Sequence, residues 1–304
     1  MTTLNEISDD KNPGRKIVLS GGSGFIGRHL VERFLSRGWE VVLLSRQPEK
    51  LEQDPLFSRV GLVKWSTHTD SWYNCLADAD VVVNLAGKNL SAGRWNARMK
   101  DEIISSRTDP LEAMTRCFDS IDSYPELFIQ FSAVGYYGRT TSMNTSEDAP
   151  AGKGFLSEVC QKWESGLSQI KDVDETRLVI LRPGVVLGIE DGFYRRMACM
   201  VRHFMGAVIG KGQNWVSWIH IQDLVGIVDQ VIDRKEVEGV INAVAPEPVQ
   251  SREFMKNLAA TWSRPLLPAP PLFVLRLTLG EMVDELVLAS QHIAPERLWK
   301  MGYK

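Results

Sequence analysis

Between Lys16 and Leu35 the chain reads KIVLSGGSGFIGRHLVERFL. An apolar run from Ile17 to Leu19 predicts a strand. After four glycines, apolar residues recur at Phe25, Ile26, Leu30, Val31, Phe34 and Leu35, the spacing of one helix face. Both patterns then alternate along the chain. Strand-like runs at Glu40–Leu44, Val60–Lys64, Asp80–Ala86, Leu127–Ser132 and Arg177–Leu181 are separated by amphipathic stretches such as Met99–Phe118 and Leu156–Ile170. Such alternation predicts an α/β fold, a Rossmann-type doubly wound parallel sheet with helices on both faces. After about Pro183 the pattern breaks into short elements rich in Gly, Trp and Pro, including GKGQNWVSWIH and SRPLLPAPPL, with one helix at Leu224–Ile232. The expected organisation is a flexible polar tail over 1–14, a Rossmann domain over 15–182 and a smaller C-terminal region over 183–304, partly interleaved with it. No internal repeat or low-complexity tract is present. The end at MGYK is abrupt, and a few further C-terminal residues are expected.

The glycines gain meaning from this context. GGSGFIG satisfies Gly-x-Gly-x-x-Gly from Gly22 and Gly-x-x-Gly-x-x-Gly through Gly21, Gly24 and Gly27. Both patterns sit between a strand and its helix. Without Cβ atoms the backbone N–H groups can approach a pyrophosphate, and the helix N-terminus attracts its charge. Gly21, Gly22, Ser23, Gly24, Phe25, Ile26 and Gly27 are therefore the expected dinucleotide seat; a tight turn without a ligand is the alternative.

Which dinucleotide depends on the end of the second strand, where an Asp or Glu would take the ribose 2′-hydroxyl of NAD. VVLLSRQ puts Ser45 and Arg46 there. A carboxylate would repel a 2′-phosphate, whereas a guanidinium can grip it with a hydroxyl beside it. NADP is the expected cofactor, and a solvated surface Arg is the alternative.

Composition narrows the partners. With 35 basic against 38 acidic residues and a net charge of −3, no basic run dominates, so nucleic acid has no electrostatic footprint. The four cysteines, Cys75, Cys117, Cys160 and Cys199, show neither metal spacing nor a disulfide framework. They read as reduced thiols in a cytoplasmic protein, and no metal is expected. No segment approaches the ~18 uninterrupted apolar residues of a membrane span, and no membrane partner is expected. A small-molecule substrate is the partner these features leave, with a homodimer as the assembly considered.

SGGSGFIG, VVVNLAG, FSAVGYYG, RPGVVLG and WIHIQDL, in this order, resemble the landmarks of the extended short-chain dehydrogenase/reductase superfamily. Their overall run resembles its atypical, epimerase-like branch, often labelled sugar-nucleotide epimerase or cell-division-inhibitor-like, from Lys16 to the end. The resemblance implies that Leu85, Ala86 and Gly87, after Asn84, end the fourth strand against the cofactor, and that Pro183, Val185 and Val186 lie beside its nicotinamide half. It also implies that Glu102 and Arg107, in DEIISSR, belong to a Glu-x-x-x-x-Arg pattern whose charges could reach the cofactor; a solvated helical face is the alternative.

Members of this superfamily use a Tyr-x-x-x-Lys pair, the Lys lowering the Tyr pKa, and a Ser or Thr that polarises the substrate oxygen. If the helical lysine is Lys162, the Tyr position holds Glu158, and the Ser position holds Ala133 with Ser132 one residue earlier. An ordinary carboxylate, with a pKa near ~4, is a poor proton donor at neutral pH. The residues expected nearest the chemistry are Ser132, Tyr136, Tyr137 and Lys162, each with a packing role as the alternative. His220 reads as a core histidine beside a helix-capping Asp223, and Trp215 and Trp218 as core or pocket wall. Two functions follow as expectations: an NADP-dependent oxidoreductase or epimerase-like enzyme acting on a small organic or nucleotide-linked substrate, or an NADP-binding regulator or sensor without turnover.

Overall fold

A computed structural model describes residues 14–140, 143–171 and 174–303. The expected N-terminal tail falls almost wholly on residues 1–13, outside this set. The first half alternates strand and helix: β1 (Lys16–Ser20), α1 (Phe25–Ser36), β2 (Glu40–Ser45), β3 (Gly61–Lys64), α2 (Asn74–Ala77), β4 (Val81–Asn84), α3 (Ala97–Phe118), β5 (Leu127–Phe131), α4 (Phe155–Ser165), α5 (Ser168–Lys171) and β6 (Arg177–Pro183). Shorter elements follow: β7 (Val185–Leu187), α6 (Gly192–Arg202), β8 (Trp215–Val216), β9 (Trp218–His220), α7 (Ile221–Asp233), β10 (Gly239–Ala243), β11 (Val249–Gln250), α8 (Ser251–Thr261), α9 (Leu272–Leu279) and α10 (Glu296–Lys300).

Seven strands form one sheet in the order β10-β6-β5-β4-β1-β2-β3, every neighbouring pair parallel. The strand order reverses between β1 and β4, which opens a crevice at their C-terminal ends. Side-chain alternation along each strand feeds two cores. Ile17 and Leu19 pack with Leu30, Val31 and Phe34 of α1 and Leu224 and Val228 of α7. Val18 and Val82, pointing the other way, pack with Leu111, Met114 and Phe118 of α3 and Trp163 of α4. Strands buried on both faces account for continuous apolar runs such as VVVN, all four residues buried.

Three boundaries differ from the sequence expectation, each for a local reason. β4 stops at Asn84 because the next backbone turns inward: Ala86 N donates to Asn84 Oδ1 at 3.1 Å. The helix expected over Leu156–Ile170 is two helices, since Gly166 ends α4 where a Cβ would stand 2.9 Å from Leu111. β10, from the C-terminal region, pairs with β6 as an edge strand of the main sheet. The two regions therefore interleave through the sheet itself.

Candidate active site

The β1–α1 turn is shaped by close backbone approaches. Gly21 has φ +69°, and a Cβ on it would lie 2.7 Å from Leu85 O. A Cβ on Gly27 would lie 2.4 Å from Gly22 Cα, so helix and turn touch backbone to backbone. Gly24 is different: a Cβ there would meet only Gly21 O, at 3.4 Å. Gly24 is also the N-cap of α1, with no side-chain cap and no acidic residue in the first turn. The leading N–H groups of a helix lack intrahelical acceptors. This turn has the backbone donors, the open cradle and the positive dipole end that a pyrophosphate needs.

The rim of the turn is built by residues distant in sequence. Leu85 N donates to Ser20 O at 3.0 Å, holding the β4 end against β1. Beneath it, Ser20 Oγ donates to Asn84 Oδ1 at 2.5 Å and Asn84 Nδ2 to Gln130 Oε1 at 2.9 Å, all three residues fully buried. Ser45 Oγ accepts from Gln47 N, and Arg46 is exposed with no ion-pair partner among the described residues. Beyond β6, Pro183 is buried, and Val185 and Val186 lie on β7, which runs on to Gly188, where a Cβ would strike the Phe25 ring at 2.5 Å. The segment after β6 therefore packs against the start of α1.

Glu102 and Arg107 part company. Glu102 pairs with Lys88 and with Arg98 at its outer edge; the Lys88 hydrogen bond, first, holds its carboxyl below the usual range. Arg107 points inward. It donates to Ile103 O at 3.0 Å and to Lys88 O at 3.2 Å and lies 5.1 Å from the Trp163 ring, and a Cβ on Gly87 would stand 3.1 Å from its Cζ. Burial lowers its pKa, and no carboxylate pairs with it among the described residues.

At the C-terminal ends of β5 and β6, polar side chains form one directed network. Ser132 Oγ donates to Glu164 Oε1 at 2.6 Å. Arg182 clamps the same carboxylate, Nε to Oε1 at 2.9 Å and Nη2 to Oε2 at 2.6 Å, and its Nη1 donates to the Tyr137 hydroxyl at 2.8 Å. Tyr137 donates onward to Asn242 Oδ1 at 2.8 Å, and Asn242 N donates to Glu147 Oε1 at 3.1 Å. Burial works against the Arg182 cation, but the Glu164 hydrogen bonds and charge outweigh it and raise its pKa. Burial, outweighing Arg182, raises the Tyr137 pKa.

The family model for the NAD dependent epimerase/dehydratase family matches residues 17–243, from β1 to the last residue of β10. The chain belongs to this family. Residues 270–304 match a second unit, a domain of unknown function, DUF1731. Over 304 residues the chain is 35% identical to the Arabidopsis thaliana chloroplastic epimerase family protein SDR39U1 homolog, covering 98% of this chain and 85% of that one. It is 32% identical to YfhF of Bacillus subtilis, covering 95% and 93%. Among solved structures, human epimerase family protein SDR39U1 with NADPH matches at 30% identity and TM-score 0.82, over 95% of this chain and 94% of that one. The Corynebacterium glutamicum nucleoside-diphosphate sugar epimerase matches at 29% and TM-score 0.76, over 97% and 56%.

Within the family fold, the sequence-expected chemistry residues land in different places. Ser132 is buried with its proton committed to Glu164. Tyr137 is buried in the core side of the network, its hydroxyl engaged twice. Tyr136 is half-buried, with the Arg182 guanidinium 3.4 Å from its ring centroid and no partner for its hydroxyl among the described residues. Lys162 corrects the expected register: it and Glu158 are exposed on the outer face of α4. Two positions away, which is about 200° around a helix, the inward pair at the same spacing is Leu156 and Cys160. A Cβ on Gly135 would lie 3.5 Å from Leu156 Cβ and 3.7 Å from Cys160 Sγ. Burial pushes the Cys160 thiol up to about 11.

Other expectations also change. His220 is exposed and is itself the cap of α7, its Nδ1 accepting from Gln222 N at 3.3 Å, while Asp223 is exposed in the first turn. Trp215 and Trp218 are half-buried; Trp218 donates to Glu247 O at 3.0 Å and Trp215 meets the His292 ring edge-on at 4.8 Å. Sequence reading missed Glu164, Arg182 and Asn242. A charged residue ending the apolar strand RLVILRP was the available signal.

Proposed function

We propose that the chain binds NADP(H) and acts as an atypical oxidoreductase or epimerase-like enzyme on a small organic or nucleotide-linked substrate. The observation that carries the cofactor choice is the end of β2, where Ser45 and exposed Arg46 occupy the positions at which an Asp or Glu would repel a 2′-phosphate. The NADPH named with the human relative supports the same reading. Gly21 to Gly27 would hold the pyrophosphate, Leu85 to Gly87 and Arg107 the rim, and Pro183, Val185 and Val186 the nicotinamide side. The bound dinucleotide supplies a hydride donor or acceptor. Tyr136, with an uncommitted hydroxyl under the Arg182 cation, is the protein group we assign to proton transfer, and Ser132 presents lone pairs to a donor. Four thiols without a disulfide among the described residues fit a reducing compartment such as the cytoplasm; the Arabidopsis relative is named chloroplastic.

A second reading, an NADP(H)-binding regulator or sensor without turnover, is favoured by one observation: the inward pair of α4 is Leu156 and Cys160, neither an acid–base group at neutral pH. NADPH oxidation across carbonyl and sugar-nucleotide substrates separates the two. The cofactor assignment has its own test. Arg46→Ala should weaken NADPH binding by about 1.5–3 kcal/mol, one charge-assisted hydrogen-bonded contact, and leave NADH binding nearly unchanged. Equal losses for both dinucleotides in titration calorimetry would remove the assignment.

A further inference from the structure

The C-terminal ends of α6 and α8 meet in a face that the cofactor reading does not use. α6 and α8 fill their inner side with Ala198, Val201, Leu258 and Ala259. Outside, Met200, Phe204, Met205, Trp262 and Leu267 stand 37–56 % exposed. The segments are tied together: Leu267 N donates to Gly206 O at 2.8 Å, and Met205 N to Met200 O at 2.8 Å. Phe204 has φ +59°, a left-handed backbone unusual for a bulky residue.

Charge distinguishes this face from an ordinary apolar patch. The Arg202 guanidinium lies over the Trp262 ring at 4.8 Å and that of Arg264 over the Phe204 ring at 4.6 Å. Neither pairs with a carboxylate among the described residues. The chain has 38 acidic residues in 304, one in eight on average. Yet Gly192 to Gln222 contains Arg195, Arg196, Arg202 and Lys211 and no Asp or Glu, and Phe254 to Leu275 contains Lys256 and Arg264 and no Asp or Glu; Arg276, next along, is paired with Asp284.

We propose that this α6–α8 face docks peripherally on an anionic lipid surface. Aromatic, Met and Leu side chains interleaved with unpaired cations suit the boundary between headgroups and acyl chains: apolar tips enter the boundary while planar guanidinium groups stay at the phosphate level. A second copy of the chain fits less well, because the same cations would meet each other. No helix among the described residues is long and apolar enough to cross a membrane, and peripheral docking needs none, since two short segments supply the whole face. The proposal does not depend on catalysis.

The test is co-sedimentation of the full chain with phosphatidylcholine vesicles, with and without phosphatidylglycerol, at low and high salt. Binding to the phosphatidylglycerol vesicles alone, falling with salt, is expected. Arg202→Gln and Arg264→Gln should each weaken it about fivefold. Phe204→Ser with Met205→Ser should weaken it further, with the circular dichroism spectrum and NADPH binding retained. Absence of binding, or binding that the folded variants leave unchanged, overturns the proposal. So does equally strong capture by soluble polyglutamate, which would make the partner an acidic polypeptide. Concentration-dependent dimerisation abolished by the Phe204 variant, without vesicle binding, would make the face a self-interface.

Discussion

The glycine turn after β1 and the polar network after β5 and β6 sit at the same edge of one sheet, but they are built by opposite means. The turn is backbone: adjacent residues shape it, and its tight spots are glycines lacking a Cβ beside Leu85 O or Gly22 Cα. The network is side chain: Ser132, Tyr137, Glu164, Arg182 and Asn242 come from separate segments up to 110 positions apart and share their hydrogens in fixed directions. A backbone site tolerates change in its surroundings as long as the turn persists. A side-chain network with two buried charges depends on every member, because any loss leaves a desolvated group unpaired.

Glu164→Ala tests this difference with the largest expected effect. Side-chain exposure at the pair is 4% for Arg182 and 10% for Glu164, so deletion leaves a buried guanidinium without its carboxylate. We expect about 3–5 kcal/mol lost in denaturant unfolding, while NADPH affinity of the folded variant at the distant turn stays within about threefold, under 1 kcal/mol. A loss below about 1 kcal/mol would mean that the clamp is not held as described and that the two ends are less different than they look.

The same contrast explains what the sequence could show. Local periodicity exposed β1, α1, β2 and β5 to within a residue or two, and the strand and helix flanking Gly21 to Gly27 turned their spacing into an expected dinucleotide seat. Arg182 opens the RPGVVLG landmark, but Glu164, 18 positions earlier, belongs to none, so their pairing becomes visible only when β6 is laid beside β5 and α4 is rotated onto both. Rotation was also the missing quantity at Lys162. A four-residue spacing says that Glu158 and Lys162 share a face, but not which face turns inward, and the apolar positions Phe155, Val159, Cys160 and Trp163 decide it. His220 differs for a related reason: apolar neighbours such as Ile219 and Ile221 do not fix the burial of the residue between them, and the ring stands exposed at the helix start.

A pH titration probes the buried side of the comparison at intermediate size. Burial pushes Cys160 and Cys75 up to about 11 and Cys117 up to about 12, against an ordinary value of 9.0. Below about pH 9 folded and unfolded chains both keep these protons. Above it the unfolded chain releases them while the folded chain does not, so stability falls as pH rises through the folded values. For Cys160, raised from 9.0 to about 11, that contribution is at most about 3 kcal/mol. Cys160→Ala should flatten the alkaline limb by one such share with its pH 7 stability changed less. An identical slope in the variant would place Cys160 in contact with water and away from the interior beside Ser132.

Lys162→Ala has the smallest expected effect and sharpens the comparison most. Read through the superfamily pattern, Lys162 would hold the cofactor's ribose and tune an acid, and its loss would be severe. Read through α4, it is a solvated lysine on the outer face, across the helix from Cys160. Exposed positions away from caps and networks change stability by no more than about 0.5 kcal/mol, and we expect that limit to hold for unfolding and for NADPH binding alike. The matched control is Tyr136→Phe, which removes only the hydroxyl left without a partner and should also leave stability near wild type. Once a turned-over substrate is found, the two variants should separate: Tyr136→Phe slows turnover and Lys162→Ala does not. The reverse result would restore the Lys162 register and require α4 to rotate by about half a turn when cofactor binds. Difference spectra showing the same nicotinamide environment in Lys162→Ala as in wild type would exclude such a rotation directly.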